Sequence, residues 1–363
     1  MHRHYINKAA GISAAILVLI LLCSCVSGGP GSSGNPSSVS TQDPGALVIT
    51  PLPYTPGPDV PGTDNSSGPV NTDAAEAATA TPDKTDLSTP SAEPQQDITL
   101  RIDSGMLFSR SVILKDIDSG KILYSLSPDK RIYPASLTKI MTGLLTAELL
   151  PADRNYEITK ESIDFADSRG AATAGFNAGE ITNKDALLGG ILMSSGAECS
   201  YTAAVNISGS EEAFAGLMNQ KAQALGLTNT HFVNSTGLHD DDHYTTAEDL
   251  LKLTEAALKN PDFVRFFTLD SFKAVTEPER QYQLTLVSTV FSALADYDFG
   301  KVKVLGGKTG YTRQAGLCLI TYAEYNGHRY VLVTAENEGN KNTERYHFID
   351  AAYIYKILQE EIR

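Results

Sequence analysis

The segment Tyr133-Pro-Ala-Ser-Leu-Thr-Lys-Ile-Met-Thr-Gly-Leu-Leu145 predicts a helix that begins around Ser136 and continues to Leu150. Residues three apart share one face of a helix, so Lys139 is expected to lie beside Ser136. A serine hydroxyl becomes a nucleophile when a base takes its proton, and a lysine removed from water can be that base. The same pattern also fits a capped surface helix with a solvated lysine, so it needs support from the rest of the chain.

The elements around this helix predict an α+β fold. Turn residues 118–120 join β-type runs at residues 111–116 and 121–125, and Asn326-Gly327 joins two later ones, so each set predicts a hairpin. Helical patterns lie between and after the hairpins, at residues 182–193, from about 198, 211–225, 247–259 and from about 344 to the end. This order favours an antiparallel sheet flanked by helices, with a largely helical insertion.

A second candidate motif, Lys308-Thr309-Gly310, follows the β-type run at residues 301–305. Lys308 supplies positive charge and Thr309 a hydroxyl for a substrate carboxylate, while Gly310 lets the backbone approach a ligand closely. Alone, the tripeptide also fits an ordinary strand end. An S-x-x-K motif followed downstream by K-T-G is far more specific, because the two together are typical of class A β-lactamases and penicillin-binding proteins.

Four segments in order resemble the low-molecular-weight D-alanyl-D-alanine carboxypeptidases, a family of serine peptidases. They lie at residues 133–145, 231–239, 243–250 and 306–317, within a resemblance that spans about residues 111–358. The resemblance implies a β-lactamase/transpeptidase-like fold. It also implies peptidoglycan pentapeptide stems as substrate, β-lactams as inhibitors and no cofactor or metal.

The resemblance also implies a role for each matching residue. Ser136 would attack the penultimate D-Ala carbonyl, and Lys139 would accept its proton. Lys308 and Thr309 would hold the terminal carboxylate. The backbone N–H groups of Ser136 and Tyr311 would form the oxyanion hole.

The third motif of this family is usually Ser-Gly-Asn, and here the matching place reads Ser195-Gly196-Ala197. Ser195 keeps a hydroxyl that could relay a proton to the leaving amine. Ala197 lacks the amide that orients the lysine and grips the substrate backbone in the family. We therefore expect either reduced activity or partial substitution by Glu198.

Three alternatives are weighed against the peptidase. A β-lactamase would share Ser136, Lys139 and Lys308, but no convincing deacylation glutamate motif lies between Ser195 and Lys308. A non-catalytic penicillin-binding sensor or wall-binding module is favoured only by Ala197. A zinc peptidase is suggested by residues 239–243, His-Asp-Asp-Asp-His, but consecutive acids rarely reach one metal together and no third ligand is evident.

The amino terminus predicts export. Arg3 and Lys8 precede an apolar stretch at residues 9–22, the order of a secretion signal. The stretch ends Leu22-Cys-Ser-Cys25, which resembles a lipoprotein cleavage box and implies a lipid on Cys25, although Cys23 inside the box is atypical. An uncleaved signal anchor is the alternative. Either would leave the rest of the chain outside the cytoplasm, tethered to the membrane by its N-terminal end.

Composition divides the remaining chain into a spacer at residues 26–97 and a folded domain at residues 98–363. The spacer contains twelve of the seventeen prolines and a net charge of −8 out of −14, so we expect it to stay unfolded and extended. So acidic a chain argues against a nucleic-acid partner. Cys199 and Cys318 are interpreted as small core residues, although an exported protein could pair them.

Overall fold

The structure is a computed structural model that describes residues 99–340 and 342–362. The expected signal at residues 1–25, the lipid site Cys25 and the spacer at residues 26–97 lie outside the described residues. The strands are β1 (Ser111–Asp116), β2 (Ile122–Leu126), β3 (Asn155–Ile158), β4 (Glu180–Asn183), β5 (Ser271–Lys273), β6 (Thr285–Val287), β7 (Lys303–Thr312), β8 (Gly316–Tyr325) and β9 (His328–Asn337).

Five of these strands form one antiparallel sheet in the order β2-β1-β9-β8-β7, and two small sheets pair β3 with β4 and β5 with β6. The helices are α1 (Lys139–Leu149), α2 (Lys160–Ser168), α3 (Lys184–Leu192), α4 (Ala197–Ser208), α5 (Glu211–Ala224), α6 (Ala247–Ala257), α7 (Pro261–Phe267), α8 (Phe291–Leu294) and α9 (Tyr346–Glu361). The predicted α+β class, an antiparallel sheet flanked by helices with a helical subdomain, is confirmed.

Both predicted hairpins are present. In the second, Asn326 and Gly327 have φ angles of 50° and 78°, the paired left-handed residues that suit a two-residue hairpin turn. The strands that they join, β8 and β9, are each ten residues long. They are longer than the apolar runs at residues 317–322 and 330–334 that predict them.

The predicted helices appear as α1, α3, α4, α5, α6 and α9, with small differences at their ends. Ser210 and Thr246 cap α5 and α6, since their side chains accept hydrogen bonds from Ala213 N and Asp249 N. Asn260 caps α7 by accepting a hydrogen bond from Phe263 N, and Pro261 is the first residue of that helix. The elements β3, β4, β5, β6, α2 and α8 were not predicted.

Two apolar cores lie on opposite faces of the sheet, because alternate residues of a strand face opposite ways. Ile113 of β1 packs among the helices of the subdomain, whereas Val112 and Leu114 pack beneath α9. Cys199 and Cys318 are buried free thiols, which confirms their interpretation as core residues. No helix within residues 99–340 and 342–362 is long and apolar enough to cross a membrane.

Candidate active site

The candidate nucleophile Ser136 lies in a 3-10 turn, Ala135–Thr138, that leads directly into α1. We had expected an α-helical turn here, but Leu137 N donates to Pro134 O, the i to i−3 pattern of a 3-10 turn. Residues i and i+3 of such a turn lie one above the other, which places Lys139 beneath Ser136. Ala135, the residue before the serine, has a φ of 47°, an uncommon conformation for alanine.

Lys139 is buried, and its amino group lies close to Ser136 and Thr236. Nζ donates a hydrogen bond of 2.8 Å to the carbonyl oxygen of Thr236, and lies 3.4 Å from Ser136 Oγ. The second distance is long for a hydrogen bond, as is common between nucleophile and base before substrate binds. Lys139 is therefore anchored by Thr236 and still within reach of the serine proton.

Burial lowers the pKa of Lys139 to about 8, because the charged form loses its hydration. The carboxylates of Glu198 and Glu211 oppose this shift, since negative charge favours the ammonium form. A pKa near neutrality leaves part of the lysine unprotonated, which is what a general base requires.

Residues 231–246, which we call the clamp loop, pack against the nucleophile turn and α1. His243 lies 2.8 Å from Thr138 Oγ1 through Nε2, and its Nδ1 accepts the Val233 N–H at 3.1 Å. The imidazole is thus the neutral tautomer with its proton on Nε2, consistent with burial lowering its pKa to about 4. Both ring nitrogens of His243 are hydrogen-bonded to protein groups. His243 therefore connects the clamp loop to the nucleophile turn, and neither nitrogen is left to bind the suggested zinc ion.

Gly237 brings the clamp loop into contact with the nucleophile turn. Its φ is 82°, and a Cβ there would lie 1.7 Å from the Ala135 carbonyl oxygen. Only glycine combines that backbone conformation with that approach. The resemblance had included this loop, but without a role for its residues.

Lys308-Thr309-Gly310 lies in the middle of β7, at the edge of the sheet that faces the nucleophile turn. A Cβ on Gly310 would lie 3.1 Å from Ser136 N, so glycine is what lets the strand pass this close. Tyr311 comes next along the strand, opposite Leu317 of β8. The predicted oxyanion donors therefore belong to two backbone segments in close contact.

Lys308 is completely buried and joins the sheet to the helical subdomain. Its Nζ donates to Ser195 Oγ at 3.0 Å and to the Thr309 carbonyl oxygen at 2.9 Å. Burial, together with the charge of Lys139, holds its pKa well below the usual range. A carboxylate arriving at this side chain would favour its charged form.

Ser195 lies between α3 and α4 with a φ of 62°, again an uncommon conformation for a residue other than glycine. Its hydroxyl accepts the hydrogen bond from Lys308, so the structure connects it to the K-T-G strand. The predicted residues Ser136, Lys139, Ser195, Lys308, Thr309, Gly310 and Tyr311 are thus contributed by three adjoining segments.

Ala197, which stands where the family usually has asparagine, is the buried first residue of α4. Its N–H donates to the Ala172 carbonyl oxygen. Glu198 Oε1 accepts from the N–H groups of Ala174 and Gly175 at 2.6 and 3.1 Å, and its Oε2 has no hydrogen-bond partner within the described residues. The hydrogen bonds of Glu198 therefore hold a neighbouring loop, and Thr236 provides the anchor for Lys139.

Thr289 is a site neighbour that sequence reasoning missed. Its Oγ1 accepts a hydrogen bond of 2.9 Å from Thr309 Oγ1, and its N–H donates to the Met193 carbonyl oxygen. It therefore connects the K-T-G strand to the end of α3. No sequence signal marks it, because a single threonine carries no motif.

The arrangement can generate a serine nucleophile, stabilise an oxyanion and hold a carboxylate beside it. An S-x-x-K turn packed against a K-T-G strand, on an antiparallel sheet flanked by helices, defines the β-lactamase and penicillin-binding class. The sequence profile of the D-alanyl-D-alanine carboxypeptidase family, peptidase family S11, matches residues 99–339. This chain belongs to that family.

Individual relatives agree with the family. The chain is 34% identical over 248 residues to the D-alanyl-D-alanine carboxypeptidase DacF of Bacillus subtilis, a match that covers 68% of this chain and 62% of the relative. It is 32% identical over 254 residues to a D-alanyl-D-alanine endopeptidase of Pseudomonas aeruginosa, covering 70% of this chain and 78% of the relative. The match thus spans less than two thirds of the Bacillus subtilis relative.

Solved structures show the same fold. A mutant of the Streptomyces K15 DD-transpeptidase is 26% identical with a TM-score of 0.62, covering 69% of this chain and 97% of that one. The D-alanyl-D-alanine carboxypeptidase of Mycobacterium tuberculosis has a TM-score of 0.60 at 22% identity, covering 74% of this chain and 96% of that one.

Proposed function

We propose that this chain is a serine D-alanyl-D-alanine carboxypeptidase that removes the terminal D-Ala from peptidoglycan pentapeptide stems. The observation that carries the proposal is that two lysine–serine pairs lie in the same site. Lys139 lies 3.4 Å from Ser136 Oγ, and Lys308 lies 3.0 Å from Ser195 Oγ. Membership of the family and the names of its relatives support the same activity.

Acylation begins when neutral Lys139 takes the Ser136 proton and Oγ attacks the penultimate D-Ala carbonyl carbon. The N–H groups of Ser136 and Tyr311 stabilise the oxyanion. The peptide C–N bond then breaks, and the leaving amine of the terminal D-Ala takes a proton through the Ser195 hydroxyl. Lys139 is the source of that proton, so the base returns to its neutral form.

Deacylation uses water. Lys139 removes a proton from the water, whose oxygen attacks the ester carbonyl, and the bond to Ser136 Oγ breaks. Ser136 regains its proton, and the shortened stem leaves with a new carboxyl end. A β-lactam would acylate Ser136 in the same way and act as an inhibitor.

Lys308 and Thr309 bind the terminal carboxylate of the substrate. The fully buried Lys308 supports this assignment, because burial disfavours its charged form and no carboxylate side chain bonds to it within the described residues. Substrate binding would therefore supply the missing negative charge. Thr309 adds a neutral hydroxyl: its proton can turn to the carboxylate while its oxygen accepts a hydrogen bond from the Thr289 hydroxyl, 2.9 Å away.

One experiment with two readouts tests the activity. The purified full chain is incubated with a fluorescent penicillin and, separately, with a D-Ala-D-Ala stem peptide. We expect a covalent label, release of D-Ala, and the loss of both in Ser136→Ala. Labelling without D-Ala release would favour the penicillin-binding sensor, and rapid loss of label with penicillin destruction would favour a β-lactamase. A label that persists in Ser136→Ala would contradict the serine mechanism.

We also propose that the protein is exported and tethered by its N-terminal end to the outer face of the cytoplasmic membrane. The charged and apolar start of the chain and the Leu22-Cys-Ser-Cys25 sequence support this location, which would give the site access to peptidoglycan. Mass spectrometry of the mature N-terminus tests it. A lipid on Cys25 is expected, whereas an intact Met1 would indicate an uncleaved signal anchor.

A further inference from the structure

The base Lys139 is connected to helix α5 through a residue outside the three motifs. Glu211 is the first residue of α5, and its Oε1 accepts hydrogen bonds from the backbone N–H of Ser235 at 3.0 Å and from its hydroxyl at 2.8 Å. The next residue, Thr236, provides the carbonyl oxygen that receives the Lys139 hydrogen bond at 2.8 Å. The Glu211 carboxylate thus fixes the peptide that anchors the base.

Ser235 is held from the opposite side as well. Its carbonyl oxygen accepts a hydrogen bond of 2.6 Å from Thr142 Oγ1, which lies three residues after Lys139 on α1. Ser235 and Thr142 are both fully buried. A change at Glu211 would therefore reach Lys139 over two short hydrogen-bonded steps rather than through solvent.

Glu211 also acts on Lys139 through its charge. Burial raises the pKa of Glu211, and the positive charge of Lys139 opposes that rise. The Glu211 carboxylate in turn favours the ammonium form of Lys139, so the two groups act on each other with consistent sign. The other ionisable groups that act on Lys139 or respond to it lie on the remaining elements packed around it: Glu198 and Cys199 on α4, His243 on the clamp loop and Lys308 on β7.

We propose that Glu211 is a positioning residue for the general base: it holds Ser235 and Thr236 against Lys139, and its negative charge sets the pH range in which Lys139 works. This inference rests on the proposed function, in which neutral Lys139 takes the Ser136 proton. Glu211 touches neither substrate nor the reacting atoms in this role.

The test is the pH dependence of acylation by a fluorescent penicillin, measured on the full chain. Glu211→Gln keeps an oxygen that can accept from Ser235 but removes the charge. The pKa of Lys139 should fall, so the acid limb of the profile should move to lower pH by roughly half a unit, with the alkaline plateau within about twofold of wild type. Glu211→Ala also loses the acceptor, so its plateau should fall about tenfold.

Two further variants separate charge from position. Ser235→Ala keeps the Glu211 charge, so its acid limb should stay in place while its plateau falls by about threefold. Glu212→Gln removes an exposed charge from the same helical turn and should match wild type in both limb and plateau. Melting curves identify any variant that fails to fold. If Glu211→Ala does not fold, the comparison of Glu211→Gln with Ser235→Ala still tests the proposal.

An acid limb that stays in place in Glu211→Gln, or an equal shift in Glu212→Gln, would overturn the role of Glu211. A wild-type chain that penicillin never labels would instead contradict the proposed function. The two failures are therefore distinguishable in one set of measurements.

Discussion

Lys139 and Lys308 are both buried lysines of one site, yet their surroundings differ. Lys139 begins α1 and donates a hydrogen bond of 2.8 Å to a loop carbonyl, and the carboxylates of Glu198 and Glu211 partly oppose the lowering of its pKa by burial. Lys308 lies within a ten-residue strand, bonds to Ser195 and Thr309, and has its pKa lowered by burial and by the positive charge of Lys139.

The difference separates two uses of the same side chain. A base must lose and regain a proton at a pH near neutrality, so nearby carboxylates must partly offset its burial. A carboxylate receptor must keep one position and meet its counter-ion only when the ligand arrives. The two environments are therefore the physical basis for proposing Lys139 as the base and Lys308 as the carboxylate receptor.

Replacing Lys139, the proposed base, should have the largest effect. Lys139→Met keeps the length and burial of the side chain but cannot accept the Ser136 proton, so we expect penicillin acylation to slow by roughly 10³-fold. In wild type, the acylation rate should rise with pH through the Lys139 pKa of about 8, because only the neutral form is a base. Stopped-flow fluorescence with labelled penicillin measures both.

Lys184 provides a matched control for this variant. It is another largely buried lysine, but it bonds to the Ala147 carbonyl oxygen and to Asp262, away from the nucleophile turn. Lys184→Met should lower the melting temperature without slowing acylation. Equal slowing in both variants would mean that loss of packing, rather than loss of a base, explains the result.

Lys308→Met should reduce kcat/KM for the stem peptide by about 100-fold, the cost of one charge-assisted contact to a carboxylate. The comparison substrate is the same peptide with an amidated C-terminus. On the amidated peptide, kcat/KM of wild type should fall nearly to that of Lys308→Met. The variant itself should have almost the same kcat/KM on both peptides. Lys303→Met, an exposed lysine on the same strand, is the control. Equal losses on both peptides would contradict a carboxylate receptor.

Ala197→Asn should raise kcat/KM for the stem peptide by about fivefold, because the added amide gives the substrate backbone one more hydrogen bond. Ala197→Leu is similar in size without the amide and should give no increase. The small buried alanine could instead be required by the packing of the Ala172 to Ala174 segment. In that case kcat/KM would decrease in both variants, and the predicted gain would be wrong.

Much of this site could be predicted because its residues lie in short local motifs. Ser136 and Lys139 are three apart, Lys308 to Gly310 are consecutive, and the Asn326-Gly327 hairpin next to them has its own turn signal. The left-handed conformations of Ala135 and Ser195 could not be predicted, since neither residue type favours a positive φ.

Contacts between residues far apart in the chain could not be predicted from the sequence either. The hydrogen bond from Lys139 to Thr236 joins residues 97 positions apart, and no periodic pattern records such a pair. The small sheets were missed because β5 and β6 have three residues each, too few to show alternation. What remained hidden is the support of the site rather than its reacting groups.

Thr289 gives the smallest and most specific test of that support on the Lys308 side. Its hydroxyl accepts the Thr309 hydrogen bond, so it orients the group proposed to meet the substrate carboxylate. Thr289→Val has the same shape without the hydroxyl, and we expect KM for the stem peptide to rise about threefold with kcat nearly unchanged. Thr289→Ser keeps the acceptor and should restore the wild-type KM. A change of kcat in Thr289→Val, or a KM that Thr289→Ser does not restore, would mean that the hydroxyl does not orient Thr309. Support of the site by neighbouring groups would then be confined to the Lys139 side.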